Sequence, residues 1–283
     1  NAGNYRATLD LTTALYQSSN TYFLALEDAL GSVEEPVRMA ERMGLYQFSR
    51  DGTAQQVIDE NRGSFTLGPD ATSPLGLASA YSTLAAGGTQ CDVLPVTQIL
   101  DRFGEPATDE DGDPLATADN CTPEAIPAGV ANTLNQMLRR DVEPGNPGQT
   151  APAAYVRGHQ IAGKTGTSQN RYSVAFVGYT PQYSASVMLL NPKQNEDLGG
   201  YGGRLAAPIW RDAMLPILSA QAPVPFPPPG IPLDNPTPAP RPEPQPGPPP
   251  PEAPPPPDVP SPDQLPPAPL PGEGFPPGFP FDD

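Results

Sequence analysis

Three observations predict an α+β fold, an antiparallel sheet packed with helices, for this 283-residue chain. Helical periodicity runs through its first half, strand-like runs joined by a tight turn follow, and one more helix closes the folded part. Between Thr8 and Leu30, apolar Leu11, Leu15, Phe23, Leu26 and Leu30 fit two short helices on either side of the polar break Gln17-Ser18-Ser19-Asn20. Ser32 and Glu35 have capping-box spacing, and the helix they open carries Val33, Val37, Ala40 and Met43 on one face before Gly44 ends it. Residues 50–70 read as irregular loop.

Ser73-Pro74 opens the next helix, with proline where a missing N–H costs nothing. Leu77, Tyr81, Leu84 and Ala85 make its buried stripe, and Gly87-Gly88 stops it. A strand over Leu94–Leu100 and a turn-rich patch over 110–114 follow. Thr122-Pro123-Glu124 starts a long helix, with Ile126, Val130, Leu134 and Leu138 along one side and Arg139-Arg140 in its last turn. Strands are expected at Ile161–Gly163, Ser173–Tyr179 and Tyr183–Leu190, the last two joined at Thr180-Pro181-Gln182. A helix from Pro208 to about Leu218 closes the pattern.

Composition divides the chain. From Pro223 onward lie 29 of the 44 prolines, eight acidic residues and a single basic one, Arg241. Such a stretch cannot bury enough apolar surface to offset the entropy of ordering. The expected organisation is a folded body over 1–221 and a disordered, proline-rich tail over 222–283. The net charge of −17 argues against nucleic acid or an anionic membrane surface as partner. One histidine, His159, and two cysteines, Cys91 and Cys121, leave no ligand set for zinc or an iron–sulfur centre, so neither metal nor cofactor is expected. The cysteine pair fits either one disulfide in an oxidising compartment or two buried thiols.

Two short motifs carry chemistry. Ser18-Ser19-Asn20 sits in a helical break, and Lys164-Thr165-Gly166-Thr167 sits at a strand edge. Alone, the first reads as a turn cap and the second as an edge strand guarded by a lysine. Yet Lys164 is one of only two lysines, the other being Lys193, against 13 arginines. A compact ammonium between Gly163 and Gly166, where the backbone can come close to a ligand, suits the holding of a carboxylate. An amide and hydroxyls beside it suit a peptide group.

In that order the two motifs match the S-x-N and K-T-G elements of penicillin-binding proteins and serine β-lactamases. Further stretches extend the match: Phe65-Thr66-Leu67-Gly68, Ser73-Pro74-Leu75, Ala80 to Gly88, Ala162 to Ser168, Phe176 to Pro181, and Ala206-Ala207-Pro208-Ile209-Trp210. Over Leu9–Leu218 the chain resembles the transpeptidase domain of class A, bifunctional penicillin-binding proteins, most like members from high-GC Gram-positive bacteria.

The resemblance implies a penicillin-binding transpeptidase fold and a D,D-transpeptidase that cross-links D-Ala–D-Ala stem peptides through a serine acyl-enzyme and also takes β-lactams. It implies that Ser18 relays a proton, Asn20 holds the substrate's backbone amide, and Lys164 supplies positive potential beside Ser18. Thr165 and Thr167, with Gly166 between them, would bind the terminal carboxylate, and the Thr167 N–H would be one of two oxyanion donors. It implies an extracytoplasmic location, which permits a Cys91–Cys121 bond closing a loop of about 30 residues.

One part of the pattern is absent. No serine in the sequence is followed three positions later by lysine. The family places that S-x-x-K before the S-x-N triad, so the nucleophile is expected ahead of Asn1, together with any membrane anchor, and this chain alone is expected to be inert. Association with that N-terminal part, and with other cell-wall synthesis proteins, follows from the same reading. The competing reading is a non-catalytic scaffold that kept the fold and lost the chemistry. A serine β-lactamase fits less well, because the proline-rich extension and the helices resembling class A penicillin-binding proteins point elsewhere.

Overall fold

The computed structural model describes residues 8–45, 52–113, 115 and 120–233. Its helices are α1 (Leu11–Tyr16), α2 (Asn20–Leu30), α3 (Glu34–Arg42), α4 (Thr53–Asp59), α5 (Pro74–Ala85), α6 (Ala128–Val142) and α7 (Gly202–Ser219). The strands are β1 (Gln90–Cys91), β2 (Cys121–Thr122), β3 (Ala162–Thr167), β4 (Ser173–Tyr179) and β5 (Ser184–Leu190). β3, β4 and β5 form one antiparallel sheet in that order, with Lys164 opposite Val177 and Phe176 opposite Val187. The β4–β5 turn is held by Thr180, whose N–H donates to the Tyr183 carbonyl at 2.8 Å and whose hydroxyl accepts from the N–H groups of Gln182 and Tyr183.

Helices cover both faces of this sheet. By strand parity Phe176 and Tyr179 point to opposite sides. Phe176 meets Trp210 of α7 edge-on at 5.6 Å, and the indole Nε1 donates to the Ala185 carbonyl at 3.0 Å. Ala206, Ala207, Met214 and Leu218 complete that side. On the other face Tyr179 packs with Leu84, Ile126 and Leu138 of the α5–α6 layer. Its hydroxyl donates to Asn135 Oδ1 at 2.8 Å, and Asn135 in turn donates to the Leu84 carbonyl. Buried polar groups here are satisfied in pairs, which ties α5, α6 and β4 into one unit. A third cluster, Val33 and Val37 with Ala54 and Val57, joins α3 to α4.

Several boundaries differ from those read from sequence. Residues 50–70 were expected to be irregular; they contain α4 and a 3-10 turn at Gly63–Leu67. α4 has no side-chain cap and exists because Ala54 and Val57 are buried against α3. Leu94–Leu100 is not a strand: apart from a bridge between Leu100 and Pro106 it has no ladder partner among the described residues, and its apolar side chains are exposed. The short β1–β2 pair forms instead, with Cys91 and Cys121 in register and bonded to each other. α6 starts at Ala128 rather than Thr122, because the Ile126 N–H donates to the Gly88 carbonyl and fixes the preceding turn. Only glycine fits there: at φ +100 a Cβ on Gly88 would lie 2.0 Å from the Ile126 carbonyl oxygen.

α7 begins six residues before Pro208 and runs through it, its small Ala206 and Ala207 pressed on the sheet. In α5 the buried positions are Gly76, Ser79, Ala80, Thr83 and Leu84, while Leu77, Tyr81 and Ala85 are half-buried. The helix sits close to its neighbours on its small-residue face. Ser32 accepts from the Glu34 N–H, but Glu35 does not close the reciprocal half of the capping box. The opening of the proline-rich segment also departs from a solvated tail. Phe226 is buried against Tyr179, its N–H donates to Gln160 Oε1, and the Ile231 N–H donates to Thr133 Oγ1 on α6. One aromatic anchor and hydrogen bonds from non-proline N–H groups suffice to lay residues 223–233 on the domain. The tail expectation for 234–283 lies outside the described residues.

Candidate active site

α1 and α2 meet back to back at the polar break. Ser18 N–H donates to the Leu15 carbonyl and Ser19 N–H to the Ala14 carbonyl, the two bonds of a Schellman ending. Glycine is the usual residue at the left-handed position of this motif, but Ser18 occupies it at φ 56. Ser19, buried, then caps α2 by accepting from the Tyr22 N–H at 3.4 Å, and Asn20 becomes its first residue. The junction therefore delivers the Ser18 hydroxyl at a fixed point, with a mild backbone strain.

That point is the tip of Lys164. Lys164 Nζ lies 2.7 Å from Ser18 Oγ and donates to the Thr165 carbonyl at 3.2 Å. Gly163 allows the strand to seat here, since a Cβ on it would come within 2.6 Å of the Phe176 ring and 2.8 Å of the Val177 carbonyl oxygen. β3 is an edge strand among the described residues. Because the Ser168 N–H donates to the Ser173 carbonyl, the alternation of antiparallel bonds turns the N–H and C=O of Thr167 and Thr165 to the open edge. The Thr167 hydroxyl accepts from the Gly202 N–H at the start of α7. Asn20 is half-buried, and its side chain makes no hydrogen bond among the described residues.

Thr165 is engaged on the inner side. Its hydroxyl lies 2.6 Å from Thr150 Oγ1, which is 2.8 Å and 3.0 Å from the two carboxylate oxygens of Asp141. The Thr150 N–H also donates to Asp141 Oδ1 at 2.5 Å. Asp141 has no exposed surface. Thr150 has one hydroxyl proton; where Asp141 is ionised it takes that proton, and the Thr165 hydroxyl then donates to Thr150. Its proton is then not directed at the open edge. Burial pushes the Lys164 pKa down while Asp141 acts in the opposite sense. Burial pushes Asp141 up, against the pull of Lys164 and of the Thr150 N–H and O–H. Tyr81, beside them, is pushed up to about 12 by burial and then by Asp141.

Sequence reasoning singled out Ser18 and Lys164, which the fold brings together across 146 residues. It passed over Asp141 and Thr150. A signal was present: an acid in the last turn of a helix opposes the dipole, and Asp141 follows Arg139-Arg140, which suit that end. Among the described residues no cluster could hold a metal ion.

The family profile described as penicillin binding protein transpeptidase domain matches residues 1–215. Penicillin-binding protein 1A of Mycobacterium tuberculosis is 30% identical over 244 residues, covering 78% of this chain and 28% of that protein. Penicillin-binding protein 1A of Neisseria gonorrhoeae is 33% identical over 153 residues, covering 53% of this chain and 18% of its own length. Among solved structures, the PonA1 protein of Mycobacterium tuberculosis in complex with penicillin V superposes with a TM-score of 0.65 at 27% identity, over 80% of this chain and 60% of that one. An α+β domain with this Lys–Ser pair at an open strand edge is thus a penicillin-binding transpeptidase fold. The chain belongs to the penicillin-binding protein transpeptidase domain family. It spans under a third of the length of these curated relatives.

Proposed function

We propose that this chain forms the proton-relay and carboxylate-binding wall of a peptidoglycan D,D-transpeptidase that also takes β-lactams. The observation that carries the reading is the 2.7 Å contact between Lys164 Nζ and Ser18 Oγ. With the ammonium donating to it, Ser18 Oγ accepts there and keeps its own proton for another partner. The attacking serine comes from an S-x-x-K outside this chain. Its oxygen forms an ester with the carbonyl carbon of the penultimate D-Ala as the peptide C–N bond breaks, and the proton that serine gives up is relayed to the leaving D-Ala nitrogen, Ser18 passing one on as it takes one back. The amine of a second stem peptide then attacks the ester, forming the cross-link and returning a proton to the serine oxygen.

Lys164 and Thr167 face the substrate's terminal carboxylate, Asn20 holds its backbone amide, and the outward Thr167 N–H donates to the developing oxyanion. Thr165, its proton engaged with Thr150, supports the wall from behind. The Cys91–Cys121 bond supports an extracytoplasmic location, where thiols are oxidised. The PonA1 complex with penicillin V supports β-lactam binding. An intact Lys–Ser pair speaks against the scaffold reading, since a fold that had lost its chemistry has no need of it.

The test is penicillin acylation by the longer protein that supplies the nucleophile. Lys164→Ala slows it by about 10²–10³-fold, the scale of one lost transition-state donor. Lys193→Ala, in an exposed loop, leaves it unchanged. If the two variants acylate alike, the assignment of Lys164 fails.

A further inference from the structure

We propose that Asp141 is a positioning residue for this wall, orienting the Thr165 hydroxyl through Thr150 and serving as the counter-charge that keeps Lys164 an ammonium against Ser18. The proposal rests on the transpeptidase reading, and it begins from a group that reading leaves unused: a carboxylate with no exposed surface and, among the described residues, no cation in an ion pair with it. A buried acid without compensation is costly, so its surroundings show what it does.

Those surroundings point one way. Thr150 gives Asp141 both its N–H and its hydroxyl, which favour the ionised, accepting form against the burial that opposes it. With that proton spent, Thr150 can only accept from Thr165. Thr165 is the residue whose carbonyl, on the open edge, accepts from Lys164 Nζ. One chain of contacts therefore runs from Asp141 through two hydroxyls into the strand that presents the ammonium to Ser18. The arrangement is tightly enclosed: a Cβ on Gly203 at the start of α7 would lie 1.8 Å from the Thr150 carbonyl oxygen. The 128–142 helix and the 149–151 segment thus hold the acid in one place.

The neighbouring groups leave Lys164 as the cation that Asp141 senses. Tyr81 on α5 and Tyr179 on β4 carry phenols that burial holds above their ordinary value. Arg139 on α6 and Glu143 just past its end bind one another through two hydrogen bonds. Arg204 on α7 is exposed. Asp141 acts on Lys164 in the sense that favours the charged form, opposing the effect of burial. Removing that charge makes the ammonium easier to deprotonate and loosens its hold on Ser18 from the alkaline side.

The sequence makes the test unusually direct, because Lys164 and Lys193 are the only lysines. Labelling the 283-residue chain with 13Cε-lysine gives two resonances, one from half-buried Lys164 and one from exposed Lys193 as an internal reference. In Asp141→Asn, which keeps the volume, the Lys164 midpoint moves to lower pH while Lys193 does not move. Thr150→Val, which removes the hydroxyl and keeps the charge, shifts it less. In the longer protein Asp141→Asn moves the alkaline limb of the penicillin-acylation profile to lower pH, slowing acylation there by about tenfold. Asp141→Glu, which restores the charge, recovers part of the rate. A Lys164 midpoint unchanged in Asp141→Asn overturns the proposal, including where the melting temperature falls, since that marks a purely structural acid. The function fails separately, if Lys164→Ala leaves acylation intact whatever the titration shows.

Discussion

Ser18 occupies a backbone position that favours glycine, and its hydroxyl there meets Lys164 Nζ. The φ of 56 costs a non-glycine residue on the order of 1 kcal/mol. Two substitutions separate backbone from hydroxyl. Ser18→Gly removes the contact with Lys164 but relieves the backbone, whereas Ser18→Ala removes the contact and keeps the strain. Chemical denaturation should find the glycine variant more stable than the alanine variant by about 1 kcal/mol. Both should acylate slowly in the longer protein. An alanine variant as stable as the glycine one would show that the position carries no strain. This residue also shows what was readable beforehand. Serine, asparagine and lysine types, their order and their spacing were visible, because side-chain chemistry is written letter by letter. The left-handed turn was not, because serine gives no sign of a positive φ. Nor was the engagement of Thr165 with Thr150, which depends on where α6 ends in space.

At the scale of elements, β4, β5 and the helical break were legible because apolar period and turn residues agree there. The misread segments are those where tertiary contact decides. α4 is recruited by α3, α6 is delayed by the Gly88 approach, and α7 runs through a proline that resembles a start signal. A further tertiary device sits beside the site, in the turn after β3. Asn170 and Arg171 both have positive φ, and Arg171 binds Asp197 of the β5–α7 connection through two hydrogen bonds. Asp197 also accepts from the Gly199 N–H, and the Leu198 N–H donates to the Arg171 carbonyl.

The Arg171 hydrogen bond, followed by that of Gly199, holds the Asp197 carboxyl down at about 2. A depressed folded-state pKa contributes stability above the ordinary carboxylate value near ~3.9, and loses it as pH falls toward the depressed one. The latch should therefore stay closed at pH 5 and release between about pH 4 and 2, with its fully exposed setting keeping the global effect small. The amide resonances of Leu198 and Gly199 should report this step. Arg171→Gln should raise the midpoint into the usual aspartate range. Titration of wild-type Asp197 at that usual value would remove the latch.

For the whole molecule, the described residues bring Lys164, Ser18 and the open β3 edge together, and the proposed chemistry needs one more part. No Ser-x-x-Lys occurs anywhere in the 283 residues. A β-lactam forms a stable adduct only when its carbonyl is attacked by a nucleophile whose ester then resists water. Neither Ser18 nor Ser19 is expected to offer that. The Ser18 hydroxyl is held against Lys164, and Ser19 is buried beneath the cap of α2. Incubation of this chain with a fluorescent penicillin, followed by intact-mass measurement, should show no covalent adduct, while the longer protein should label stoichiometrically. The wall itself can be tested on the same sample. Adding a segment that bears the S-x-x-K as a separate chain should restore labelling if the two parts assemble without a peptide bond, and the restored labelling should be lost in Lys164→Ala. A stoichiometric adduct on the isolated chain would mean that a serine within it attacks, and Ser18 would then be the nucleophile rather than the relay.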